Sequence, residues 1–461
     1  MQHSGRQSRF DYSAWAIKTD GMKQVVGDSI SKVLVRVRRE KFFRDVGILS
    51  VAGVSGAALS LGQGILIARW LQPELYGLVT LVMSYPNFIF GVFDVRSGDA
   101  LVKYLSESYA RNDRERFLAL CKFGHVLDLV IAITAFLAVS LTAKWAATNI
   151  ARHSDMAVLI IVFAASFLPS ALTRTCKATL HSLGRFAIVG WTDITIQVFR
   201  TVLVLTLVFL GLGVEGVIWG SAIALFVAGV VQLGITWHLI YRLYGNTPLR
   251  GRWQALKGQR REILRFLAYS DLTVLIAMIP QQLDLLVLGY FRGPLDVSYY
   301  KLAKSFATVT GYISAPLAAV TYPEITKMWG AGDKESFRCR VRGLFLKIGL
   351  PLGLVSLLSV AVVPFVLPVL AGAAFQNAIV PTQVLLVASS VGLVFFWVRP
   401  FFLAQGHYRY WFLSSGVVTL LFGAIYPVVV VRFGYVGAAI WYLTMNIVGA
   451  AVALRLVKRG I

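Results

Sequence analysis

The sequence is poor in charge: only 15% of its 461 residues are Asp, Glu, Lys or Arg, where a soluble domain carries roughly one quarter. Acid is scarcest, with 22 acidic residues against 45 basic ones. Three cysteines, Cys121, Cys176 and Cys339, lie scattered without metal-ligand spacing, which excludes a disulfide framework and a structural zinc site. No glycine-rich phosphate loop with its lysine occurs, so no ATPase is built in. No His-Glu metal cluster or nucleophile elbow is found either, so the sequence predicts neither an enzyme nor a bound cofactor. The apolar segments also lack alternation of period two, which excludes a closed barrel of strands.

What is abundant is hydrocarbon. Apolar residues make up 57% of the chain and the mean hydropathy is +0.70. One crossing of a bilayer needs roughly 20 apolar residues, and the backbone groups of each crossing must be satisfied internally. The sequence therefore predicts an all-α polytopic membrane protein with about twelve transmembrane helices. Apolar segments fall at 46–67, 77–94, 123–142, 156–176, 187–210 and 215–240, then at 267–290, 298–322, 346–370, 380–403, 410–431 and 435–455. Pro86, Pro280, Pro316, Pro364 and Pro400 each interrupt a segment, and a missing donor with a ring clash bends a helix there.

The basic residues test this division. With the N-terminus inside, the inward loops and tails hold 33 of the 45 Lys and Arg, the outward loops hold 5, and the other seven lie within the spans. Positive charge stays on the cytoplasmic side, so both termini are expected there. The net charge of +23 is then accounted for by topology and anionic lipid rather than by nucleic acid. Residues 1–44 are too long and too charged for a cleaved signal peptide, and an interfacial helix is expected to lead into the first span. The basic interval 241–266 has no apolar core and reads as a cytoplasmic linker. It separates lobes at 45–240 and 267–456, with a cytoplasmic tail at 457–461. Gly213, Gly216 and Trp219 recur as Gly434, Gly437 and Trp441, and Pro73 recurs as Pro294, the glycines and the proline at an offset of 221. Six is even, so two six-helix lobes enter the membrane in the same orientation, as parallel repeats do.

Charges inside spans cost several kcal/mol and need an interior or aqueous site. His125 and Asp128 share a face of the third span, and Asp193 and Arg200 lie two turns apart in the fifth. Asp271, Gln281, Gln282 and Asp284 lie in the seventh, Lys301 and Lys304 in the eighth, Arg399 beside Pro400 in the tenth, and Asn446 in the twelfth. Each has a bland explanation. Asp193 has basic helices to pair with, and Arg174 and Lys177 at the inner end of the fourth span can snorkel to headgroups. A water-filled cavity between the lobes satisfies the whole set together. Arg200, Lys301, Lys304 and Arg399 in it suit an anion, above all a phosphate. Asp128 and Asp284 suit a coupling cation or a substrate hydroxyl, and Asp271, Pro316 and Pro400 are candidates for gating or coupling. Without ATP hydrolysis, transport draws on an ion gradient or on the substrate's own gradient.

The stretch Ala68-Arg69-Trp70-Leu71-Gln72-Pro73-Glu74-Leu75-Tyr76-Gly77 resembles the first-loop signature of bacterial polysaccharide and oligosaccharide flippases. These belong to the multidrug/oligosaccharidyl-lipid/polysaccharide exporter superfamily. The similarity continues through Asp94, Leu101-Val102-Lys103-Tyr104-Leu105-Ser106-Glu107, Pro280-Gln281-Gln282-Leu283-Asp284, Gly289-Tyr290-Phe291 and Tyr322-Pro323-Glu324, and covers 42–456. It departs at Asp94-Val95-Arg96-Ser97-Gly98, where the family places glycine closer to the aspartate, so no role passes to Arg96. The resemblance implies an inner-membrane flippase for a polyprenyl-diphosphate-linked glycan. The headgroup crosses between two six-helix lobes while the tail stays in lipid. Arg200, Lys301, Lys304 and Arg399 are the electrostatic candidates for the diphosphate; Asp128, Asp193, Asp271 and Asp284 are candidates for sugar contacts, gating or proton/cation coupling, with Gln281 a further candidate for substrate binding. Coupling to a proton or sodium ion and partnership with a polysaccharide polymerase or glycosyltransferases are further expectations. The alternative is an ion-coupled multidrug or peptidoglycan-precursor exporter of the same superfamily. A polymerase is disfavoured because the longest outward loop has about 14 residues, and a glycosyltransferase because no catalytic acidic motif is present.

Overall fold

The computed structural model describes residues 12–93, 97–256, 282–407 and 416–460. Among them every regular element is helical. Among the described residues, seven helices are long and apolar enough to cross a membrane: Gly53–Phe93, Arg114–Asn149, Ser154–Ser182, Phe186–Tyr244, Glu335–Ala371, Ala373–Ala404 and Val418–Val457. The chain is thus an all-α, polytopic membrane protein. Its surface agrees, because Leu141 is 85% and Phe209 80% exposed, which only a hydrocarbon solvent makes tolerable.

Helix α1 runs Tyr12–Phe93 and is broken at Gln72. It is followed by α2 (Ser97–Ala110) and α3 (Arg114–Asn149). Next come α4 (Ala157–Ala165), α5 (Phe167–Ala171) and α6 (Thr173–Ser182). Helix α7 (Phe186–Leu207) passes through a π-turn into α8 (Gly213–Tyr244). The second part holds α9 (282–292), α10 (Pro294–Gly330), α11 (Lys334–Gly343) and α12 (Leu350–Ala371). Last are α13 (Ile379–Val394), α14 (Val398–Ala404) and α15 (Val418–Gly460), the last broken at Gly434. Pro86 lies within α1, Pro364 within α12 and Pro316 within α10, while Pro400 sits in α14 just after a turn at 395–397. Asp271, Pro280, Gln281 and 257–266 of the expected linker lie outside the described residues.

The breaks repeat. Left-handed φ occurs at Gln72 and Gly293, at Asn112 and Gly332, at Arg152 and Gly372, at Gly184 and Gly406, and at Gly213 and Gly434. These pairs are 221, 220, 220, 222 and 221 residues apart. At the first pair Pro73 or Pro294 opens the next helix, its fixed φ suiting the first helical turn. After the second pair, Asp113 caps α3 through Arg116 N–H and Asp333 caps α11 through Ser336 N–H. Gln72 adopts φ 65°, ψ 167°, a region that only glycine enters without strain.

One end of the bundle is closed where the loops 68–76, 143–156, 291–297, 371–379 and 431–435 meet. Gly77 lies so near the Pro294 carbonyl that a Cβ would come within 1.8 Å of its oxygen, and a Cβ on Gly289 would strike Leu81. Arg152 donates to the Tyr290 and Phe291 carbonyls at 3.3 and 2.9 Å, and Arg69 to the Val369 carbonyl at 3.3 Å. Tyr76 meets Phe375 edge-on at 6.0 Å. Hydrocarbon offers no hydrophobic drive between helices, so such close packing and these hydrogen bonds hold the elements together. The alanines of α3, Ala132, Ala135, Ala143, Ala146 and Ala147, serve the same end as a fully packed small-residue stripe.

Two outcomes are expected. Gly77→Val inserts side-chain atoms where there is no room, an overpacking cost of about 1–3 kcal/mol. With Cys339→Ser as background, a Ser305→Cys reporter should then react roughly five- to a hundredfold faster with an impermeant maleimide applied at the 68–76 face. Unchanged labelling would show that the crossing does not seal this end. At α11, hydrogen bonds from the Ser336 side chain and backbone hold the Asp333 carboxyl below its ordinary value of 3.8. The cap therefore stabilises above that value and is lost as pH falls through the lower folded one. Protection of the Ser336 amide from hydrogen exchange, corrected for intrinsic rate, should fade below about pH 4 and become independent of pH in Asp333→Ser.

Candidate functional site

A cavity of about 370 Å³ lies between the two parts of the chain. Four helices line it by residues at helical spacing: Ser60, Gln63, Gly64 and Ile67 before the break in α1, and Tyr76, Thr80, Met83 and Asn87 after it. α7 adds Arg200, α8 adds Ser221, and α10 adds Lys301, Ser305, Thr308 and Tyr312. Residues three and four apart share one helical face, so each helix gives the cavity a single polar stripe. Several of these groups are tied down. Thr201 donates to Gln63 at 3.2 Å, Gln197 to Ser60 at 3.0 Å, and Asn87 to the Met83 carbonyl at 2.7 Å.

The two cations are not. Among the described residues, Arg200 and Lys301 have neither an ion-pair nor a hydrogen-bond partner, and Arg200 Nε is buried without one. No described carboxylate lines this cavity. Two like charges therefore face a shared, partly desolvated space, an arrangement that an incoming anion relieves.

Among the described residues, the acidic groups Asp128, Asp193 and Asp284 within the helices are compensated. Asp128 of α3 is fully buried and accepts the Thr175 N–H at 3.2 Å and the Thr175 hydroxyl at 2.6 Å. Gly124 makes this possible, since a Cβ there would lie 2.5 Å from Thr175 Oγ1. The adjacent His125 donates from Nδ1 to the Cys121 carbonyl at 2.7 Å and turns Nε2 to Cys176 Sγ at 3.6 Å. Lys177 and Asp193 pair at 2.8 Å on a half-exposed surface. Asp284 of α9 accepts from Lys304 at 2.6 Å, from the Tyr300 hydroxyl at 3.1 Å and from Leu285 N–H at 2.8 Å.

Lys304 and Tyr300 line a second cavity of about 490 Å³ with Ser389, Tyr442 and Asn446, which meets the first at Thr308 of α10. Arg399 lines a third, of about 280 Å³, that shares Gly392 and Asn446 with the second. The four cations expected in one cavity are thus distributed over three, with Arg200 and Lys301 alone together. The partners Thr175, Tyr300 and Leu285 and the cavity hydroxyls escaped the sequence reading. Ser305, Thr308 and Tyr312 carry a usable signal, because they follow Lys301 at helical spacing.

Residues 42–329 match the family described as "Polysaccharide biosynthesis protein". No curated protein matches the chain. Among solved structures, the inward-facing conformation of a multidrug resistance MATE family transporter of the MOP superfamily is similar at a TM-score of 0.65. Identity is 15%, over 88% of this chain and 95% of that one. A lipid II flippase, MurJ, in an inward closed conformation is similar at 0.64 and 16%, over 89% of this chain and 87% of that one. The outward-facing conformation of a multidrug MATE transporter is similar at 0.56 and 16%, over 90% and 95%. At these identities the likeness is one of fold alone: the chain shares the fold of these structures.

Removing one partner of a buried ion pair leaves the other uncompensated, at about 3–5 kcal/mol. Lys304→Ala should therefore lower thermal stability in detergent markedly, and pairing it with Asp284→Asn should recover most of the loss. If the double variant melts no higher than the single one, Asp284 is not the group that Lys304 compensates.

Proposed function

We propose, from the premise that this chain belongs to the polysaccharide biosynthesis protein family, that it flips a polyprenyl-diphosphate-linked oligosaccharide across the bacterial inner membrane by alternating access. The observation that carries this reading is that Arg200 and Lys301 have no partner among the described residues and share a cavity that no described carboxylate lines. A diphosphate supplies the missing negative charge and accepts hydrogen bonds from both. Around it, two six-helix lobes at 45–240 and 267–456 form twelve spans, with both termini cytoplasmic. The recurrence of left-handed residues at 220–222 supports the duplication. The closed end, where the loops expected outside meet, supports a cavity that opens inward. The higher TM-score to the inward-facing than to the outward-facing transporter, 0.65 against 0.56, agrees. Lys304 with Asp284 and Arg399 flank the path in the neighbouring cavities and serve the glycan or the gate, as do Asp128 and Asp193 through their helices.

A second reading has its own support. On likeness of fold alone, an ion-coupled multidrug or peptidoglycan-precursor exporter is the better supported, since multidrug transporters match as well as the lipid II flippase or slightly better. The cationic cavity disfavours cationic drugs and is neutral between one lipid diphosphate and another. Coupling to a proton or sodium ion, and a polymerase or glycosyltransferases as partners, belong to either proposal.

The test is flipping of a lipid-linked glycan in vesicles holding the full chain. A hydrogen bond to a charged group is worth about 1.5–3 kcal/mol, so Arg200→Ala and Lys301→Ala should each slow flipping roughly ten- to a hundredfold. Wild-type rates in both folded variants would remove the phosphate role. Transport of organic cations without flipping of the glycan would favour the second reading.

A further inference from the structure

Beside the central cavity runs a groove of about 400 Å³ whose chemistry is the opposite. Phe306 and Ile313 of α10, Leu352, Val355 and Val362 of α12, and Leu386 of α13 form its walls. Its few hydroxyls are already committed. Thr310 donates to the Ala307 carbonyl at 2.8 Å, Ser359 to Ser356 at 2.6 Å and Thr382 to Ala378 at 2.6 Å, while Ser356 Oγ accepts from Ser390 at 2.9 Å. The groove thus offers a ligand little beyond the Ser356 hydroxyl proton, and hydrocarbon fits it with few polar groups left unmatched. Val355 is 65% and Val362 51% exposed, so it faces the apolar solvent around the protein.

Leu61 and Val309 belong to the walls of both the groove and the cavity. Polar space with two cations that have no partner among the described residues therefore adjoins apolar space with almost no free polar group. We infer that the groove between α10, α12 and α13 holds the hydrocarbon tail of the transported lipid while its anionic head lies against Arg200 and Lys301. The inference rests on the proposed lipid-linked anionic substrate and adds a seat for its tail. A bilayer acyl chain fits the groove but has no link to the cations, whereas a molecule with an anionic head and a long tail covers both walls of Leu61 and Val309. Moving from lipid into the groove gains no hydrophobic burial. What it gains is packing and a tether, which keeps the head at high effective concentration beside the cavity.

The probe is a polyprenyl diphosphate carrying a diazirine on its tail, in vesicles of phosphatidylethanolamine and phosphatidylglycerol holding the full chain. Labelled residues are mapped by mass spectrometry. Label is expected on α12 between Leu352 and Val366. A tenfold excess of unlabelled polyprenyl diphosphate should lower it on the order of tenfold, and both Arg200→Ala and Val355→Trp should reduce it. Leu141→Trp, on the lipid face of α3, should leave it unchanged and controls for the added indole. Label spread over the whole lipid face, or groove label insensitive to competitor and to Arg200→Ala, overturns the tail seat. If flipping persists in those same vesicles, the tail seat fails alone. If there is neither flipping nor competed label, the substrate proposal fails with it. A diazirine phosphatidylglycerol that labels α12 equally, and is not displaced by polyprenyl diphosphate, identifies ordinary bilayer lipid as the occupant and overturns the inference.

Discussion

A charge in hydrocarbon must be compensated, and the polar interior of this protein follows from that constraint. Asp284 has Lys304, Asp193 has Lys177, and Asp128 has the hydroxyl and amide of Thr175. Each arrangement ties one helix to the next: α9 to α10, α6 to α7, and α3 to α6. Hydrophobic burial supplies little attraction between helices in lipid, so these pairs and the close-packed stripes of small residues hold the bundle. Among the described residues Arg200 and Lys301 stand outside this scheme, and they do so at a cavity, where water or an anion can take the place of a protein partner.

The closed end depends on a different economy of atoms. Gly77 meets the Pro294 carbonyl with no room for a side chain, and the arginines at 69 and 152 satisfy carbonyls that helix ends leave open. Helix termini expose unpaired carbonyls, and such groups are costly where water is scarce. Packing backbone against backbone and capping the remainder with guanidinium groups answers both needs. The cavity begins below this seal, between the same two helices, α1 and α10.

How much of this is legible in the sequence follows from how far apart the cooperating residues are. Helices are legible because apolar length and proline position are local properties. The repeat is legible at Pro73 and Pro294 and at Gly213 and Gly434, where a turn fixes the residue type. It is hidden at Gln72 and Arg152, where a side chain tolerates what glycine does in the other copy. The charged residues of the spans are legible as residues requiring partners, but their partners are not. Lys301 and Lys304 share a face on paper, yet in the fold Lys304 turns to Asp284 and Lys301 to the cavity. Asp284 of α9 supplies the carboxylate that Lys304 reaches. Arg399 lines another cavity, which meets that of Lys304 at Gly392 and Asn446, a placement no local pattern encodes.

The absence of a partner for Arg200 and Lys301 has an electrical side. An elementary charge moved through the full membrane potential changes energy by about 2.3 kcal/mol per 100 mV. An empty cavity with two uncompensated cations is therefore subject to voltage whenever its opening shifts from one face to the other. Under the proposed function, an interior-negative potential would hold such a carrier with its mouth toward the cytoplasm. A dianionic load would neutralise the same site, remove its response to the field and release it to turn.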